Sequence, residues 1–130
     1  MPAPNRMIPL LVCEDIEAEH DFLVDVFGFT AGSIEHDGDG NVVHGEVHSP
    51  AGTIWLHRVT PQFGLAAPQA LAELPGGMVV HIDDVDAHYE RAKAKGAHVD
   101  SEPRDQEYGQ REYGVRDREG HRWWFATPIT

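Results

Sequence analysis

Ile82-Asp83-Asp84-Val85-Asp86-Ala87, running on to Lys95-Gly96-Ala97, is the stretch on which the reading of this chain turns. Met78–Ile82 is short and, but for His81, apolar, which suits a strand. Asp83 or Asp84 then offers a carboxylate to cap a helix. Val85, Tyr89 and Ala92 fall on one face of that helix, and Gly96 supplies a stop. The same pattern stands 69 residues earlier. Ile8–Cys13 is an apolar strand, and Asp15-Ile16-Glu17-Ala18 matches Asp84-Val85-Asp86-Ala87. Ile16, Leu23, Val26 and Phe27 form the helical face, and Gly28 is the stop. Glu17 and Glu19 sit in the first turn, where the helix dipole favours carboxylates. Ile54-Trp55-Leu56 matches Trp123-Trp124-Phe125 at the same offset of 69.

Outward from these helices the chain reads as strands and turns. Phe29–Glu35, Val42–His48 and Thr53–Val59 are strands, separated by the turns His36–Asn41 and Ser49–Gly52. Ala97–Val99 begins a strand, Gln110–Arg116 is another, and His121–Ala126 follows the turn Asp117-Arg118-Glu119-Gly120. A segment rich in Pro, Ala and Gly joins the halves, with a short helix expected around Pro68–Leu74. Each half is strand, helix, then two or three strands, and neither half holds a complete core. The expected architecture is one α+β domain over 1–130, with module one at about 7–60, a connector at about 61–76 and module two at about 77–128.

Composition narrows the function. Apolar residues make up 41% of the 130 and charged residues 25%, as in an ordinary globular protein. Ten basic residues against twenty-two acidic ones give a formal charge of −12. Such a chain repels phosphate backbones and anionic headgroups, so neither nucleic acid nor a membrane is an expected partner. The same field favours a cationic ligand. Cys13, the one cysteine, excludes an intramolecular disulfide and reads as a small buried hydrophobe. There is no basic N-terminus ahead of a long apolar run, so a cytoplasmic location is expected. There is also no glycine-rich phosphate loop and no Gly-x-Ser-x-Gly elbow.

The repeat and four local motifs resemble the vicinal oxygen chelate superfamily of glyoxalases, bleomycin-resistance proteins and extradiol dioxygenases. The motifs are Asp15 with Phe22 and Phe27-Gly28-Phe29, then His44-Gly45-Glu46-Val47, then Ile82–Ala87 through Gly96, then Tyr108-Gly109, Arg111 and Asp117–Trp123. The resemblance covers residues 7–128 and implies paired βαβββ modules whose curved mixed sheets enclose a cavity, commonly in a homodimer. It also implies four metal-ligand positions, which here carry Ile8, Trp55, Gly77 and Trp124. None offers a donor side chain for a divalent cation. What the resemblance then implies is the metal-free branch, in which a small molecule such as an antibiotic is bound and sequestered, with no cofactor.

Strand alternation indicates what shares the cavity face with those positions. On the middle strand of module one, His44, Glu46 and His48 fall opposite Val43, Gly45 and Val47. His57 follows Trp55, His81 follows Gly77, and Arg122 precedes Trp124 at the same parity. Trp55 and Trp124 either face each other and stack on an aromatic or cationic ligand, or fill space a metal site has vacated. Trp123 points the other way, into the core. Arg111 and Tyr113 are further candidates for a ligand carboxylate or hydroxyl, with a surface ion pair the alternative for Arg111. Tyr108-Gly109 reads as a flap over the cavity mouth.

Catalysis is the competing expectation. His44, Glu46, His57 and His81 could hold one divalent metal as displaced ligands of a lyase, isomerase or dioxygenase. Without metal, Glu46 could act as a base with His57 or His81 as its partner. The remaining histidines at 20, 36, 88, 98 and 121 read as structural or solvated.

Overall fold

The computed structural model describes residues 4–129. Strand β1 (Leu10–Cys13) leads to helix α1 (Ile16–Asp25), and then come β2 (Thr30–His36), β3 (Val42–Ser49) and β4 (Gly52–Arg58). Module two repeats this order as β5 (Met78–His81), α2 (Val85–Ala94), β6 (His98–Asp105), β7 (Gln110–Arg116) and β8 (Arg122–Pro128). Each module is a four-stranded mixed sheet, ordered β1-β4-β3-β2 and β5-β8-β7-β6. The first strand of each pairs parallel to the last, and the remaining pairs are antiparallel.

The caps follow from the sequence. Asp15 accepts from the Ala18 amide at 3.1 Å, and Asp84 from the Ala87 amide at 3.0 Å, so each helix start has a carboxylate for its orphan donors. Past the helix ends, Gly28 and Gly96 take φ of +76° and +82°, a conformation that costs a side chain energy and glycine nothing. The connector differs from expectation: it makes two short 3-10 turns, Pro61–Phe63 and Pro68–Ala70, rather than a helix to Leu74. Prolines at the start of each turn favour that tight geometry.

One apolar core spans both modules. Phe27, at the end of α1, places its ring 5.5 Å from Trp123 and 5.0 Å from Phe125, both edge-on. Polar contacts also tie the halves together. Glu119 accepts from the Glu14 and Asp15 amides at 2.9 Å each, and Arg91 of α2 and Lys95 just past its end reach Asp25 of α1. No helix among the described residues is long and apolar enough to cross a membrane.

Candidate functional site

The cleft that gathers the residues singled out in the sequence lies on the face of the second sheet turned away from α2. Register puts Val79, Trp124 and Gly114 in one row across β5, β8 and β7. Arg122 and Arg116 form the next row on one side, and His81, Ala126 and Glu112 the next on the other. The Trp124 indole packs closely over two positions that have no side chain, Gly77 and Gly114. A Cβ on Gly77 would stand 2.6 Å from the indole Cζ3, and one on Gly114 would stand 3.3 Å from Nε1. The indole floors an open cleft of about 620 Å³, walled by Gly77, Val79, Arg116 and Arg122 and roofed by Ala72, Glu73 and Leu74 of the connector.

The two ends of this floor differ in chemistry. At one end Asp100, its side chain 17% exposed, holds Arg116 Nε and Arg122 Nε at 3.2 and 3.1 Å. The Arg122 guanidinium stands 5.2 Å from the Trp124 ring centroid, within cation–π range. At the other end His81 Nε2 donates to Gln110 Oε1 at 2.9 Å, and Gln110 Nε2 donates to Glu112 Oε1 at 3.0 Å. Tyr108, in the turn before β7, donates its hydroxyl to the same carboxylate oxygen. That bond raises the phenol above its ordinary pKa. Of these residues, sequence reasoning named Trp124, Arg122, His81 and Tyr108. It missed Glu112, Arg116 and Asp100, although the parity of β7 against Trp124 would have given the first two.

Module one presents a matching face. His44, Glu46 and His48 on β3 alternate with buried Gly45 and Val47, as expected. Trp55 pairs with Glu46 across the strands and His57 with His44. His44 stands edge-on to Trp55, with centroids 5.1 Å apart. His57 is hydrogen-bonded to Thr60 Oγ1 at 3.0 Å, and Glu46 lies 3.6 Å from His48. Trp55 is not among the walls of the Trp124 cleft, so within one chain the two indoles do not share a cleft. His44, Glu46, His57 and His81 do not converge either. Among the described residues the one group of three donors close enough for an ion is Glu19, Asp117 and His121.

Two expected ligand contacts fall on the wrong side of β7. Tyr113 is fully buried against Phe125, and its hydroxyl donates to His88 Nδ1. Arg111 shares that parity and is held by Asp86 of α2 and by Asp105. Odd positions of β7 face the helix and even positions face the cleft, so neither side chain reaches it. His88 completes its role in the core by donating Nε2–H to the Phe27 carbonyl at 2.9 Å, and burial lowers its pKa.

Glu19, in the first turn of α1, is fully buried. His121 Nδ1 lies 3.3 Å from Glu19 Oε2 and 2.9 Å from Asp117 Oδ2, while its Nε2 donates to the Val12 carbonyl at 2.9 Å. Trp123 Nε1 adds a 2.8 Å bond to Asp117. Burial opposes charge on His121, but the bonds to Asp117 and Glu19 outweigh it and push the imidazolium pKa up to about 10. Burial drives the Glu19 carboxyl well above its ordinary range. Asp117 is also buried, yet its hydrogen-bond donors hold it below the usual value. The set reads as a neutral Glu19 beside an Asp117–His121 ion pair, joining α1 to the last turn. Burial and the surrounding acids likewise raise the Cys13 thiol beyond thiolate chemistry.

The match to known proteins agrees with the geometry. The family model described as the Glyoxalase/Bleomycin resistance protein/Dioxygenase superfamily matches residues 7–125, and the chain belongs to that superfamily. The uncharacterized protein Mb0911c of Mycobacterium bovis is 30% identical over 124 residues, covering 93% of this chain and 82% of that protein. The crystal structure of TioX from Micromonospora sp. ML1 superposes with a TM-score of 0.75 at 28% identity, covering 97% of this chain and 100% of the other. TnmS3, an antibiotic binding protein from Streptomyces sp. CB03234, shares the fold with a TM-score of 0.72 at 22% identity, over 98% of each chain.

The metal positions implied by the resemblance do not suit a metal here. Ile8, Trp55, Gly77 and Trp124 lack donor atoms of the required kind, and the Trp124 ring occupies the space a side chain at 77 would need.

Proposed function

We propose that this protein binds a small planar aromatic molecule non-covalently, without a metal, as a homodimer, and so sequesters a compound such as an antibiotic. The observation that carries the reading is the indole laid over Gly77 and Gly114, which puts an aromatic floor where a metal-dependent relative would need a ligand. A ring stacked on the half-buried Trp124 indole gains roughly 0.5–1.5 kcal/mol beyond area burial. The fold supports the reading, because TnmS3, an antibiotic binding protein, is built on it. The dimer is supported by the module-one face, where Trp55 remains 37% exposed beside half-buried His44, Glu46 and His57. A second copy would cover that face and complete the cavity.

The test is fluorescence titration of untagged protein with naphthalene probes, alongside elemental mass spectrometry. The expected result is saturable quenching that is lost in Trp124→Leu, persists in Trp123→Phe and is unaffected by chelator. A stoichiometric metal that is required for quenching overturns the reading.

A further inference from the structure

Asp100 sits between Arg116 and Arg122 and meets both through Nε. Its Oδ1 also lies 3.3 Å from His98 Nε2. Among the described residues, no hydrogen bond engages the terminal Nη nitrogens of either arginine. At this margin of the cleft one carboxylate, Asp100, is shared by two guanidiniums. The arrangement sets two planar forks at the margin of an aromatic floor, and both arginines wall the cleft itself. Free Nη pairs are the donors that match a carboxylate in two parallel bonds. Glu73 is the one acid among the lining residues; it lies on the exposed connector that roofs the cleft. In a chain of net charge −12, two arginines gathered on one largely covered carboxylate side chain make a local exception to the prevailing field.

We propose that the ligand of this cleft is an aromatic acid, its ring lying on Trp124 and its carboxylate held by the Nη groups of Arg116 and Arg122. This rests on the aromatic-ligand reading above and reverses the charge that overall composition suggests. The long-range field acts on approach, whereas the guanidiniums act at contact, where hydrogen bonding and partial desolvation make local charge decisive.

Three probes of one shape separate the possibilities: 2-naphthoate, 2-naphthamide and 2-naphthylmethylammonium, each titrated against intrinsic fluorescence. The wild type is expected to bind the acid at least tenfold more tightly than the amide, with the ammonium weakest. Arg116→Gln should reduce the acid-to-amide ratio to near one. Asp100→Asn should increase the ratio several-fold by freeing both guanidiniums, a gain that misfolding cannot produce. Equal binding of acid and amide, or preference for the ammonium, overturns this proposal and leaves the aromatic-ligand reading standing. Quenching by none of the three overturns both.

Discussion

At the scale of single residues, the buried Glu19–Asp117–His121 set and the Gly77–Trp124 contact make the sharpest predictions. His121 in the folded chain keeps its proton up to about pH 10, against an ordinary value near 6.5. Its contribution to stability is therefore complete below about pH 6.5 and is lost as pH rises through 10. Glu19, raised by burial, adds to the same direction because its ionisation is disfavoured in the folded state. Thermal melts should accordingly show Tm falling from pH 7 to 10. Glu19→Gln preserves the neutral shape, so it should keep Tm at pH 7 within a few degrees and flatten that fall. A Tm independent of pH over this range would remove the ion pair from the account. Gly77→Ala places a methyl 2.6 Å from the indole and 2.7 Å from the Arg122 carbonyl. Overpacking of this kind costs about 1–3 kcal/mol, to be read from chemical denaturation, with a shift in tryptophan emission as the ring is displaced. None of this was legible from the residues alone. Glu19 occupies a first-turn position where carboxylates are normally solvated, and only the approach of the last turn buries it.

At the scale of elements, the helices and their caps were the most legible part of the chain. Asp15 and Asp84 cap as read, and every residue assigned to the two helical faces is buried. Capping and amphipathic spacing are local, so adjacent sequence contains the information. Asp84→Ala should lower stability by about 1 kcal/mol, and Asp84→Asn by much less, in urea unfolding. Equal losses would mean the cap bond is not what Asp84 contributes. Strand faces were legible on β3 and β8 and misjudged on β7. Tyr113 was placed toward the ligand by chemistry, and Arg111 either there or in a surface ion pair. The register of Tyr113 with Phe125 and of Arg111 with Thr127 puts both on the helix side, and Arg111 takes the ion pair. The connector was legible only as a break in pattern. Its role as roof of the cleft depends on where the sheets place its ends.

At the scale of the whole molecule, charge and assembly set the behaviour. With a formal charge of −12, the protein repels an anion at long range even if its cleft holds one at contact. Added salt should therefore speed association of 2-naphthoate in stopped-flow and slow that of the ammonium probe. Light scattering should give a mass of about twice the 14.4 kDa chain. A monomer would mean that the module-one face has another occupant or none.

The sequence by itself determined the 69-residue repeat, the capped helices, the alternating faces and the absence of donors at the four implied metal positions. These are matters of period and residue type along a few adjacent positions. The tertiary structure alone decided that Glu19 is buried, that Trp124 lies over two glycines from neighbouring strands and that Asp100 gathers two arginines beside it. Each depends on strands brought into register from distant parts of the chain, where the partner that sets a side chain's charge or space cannot be read from its own neighbourhood.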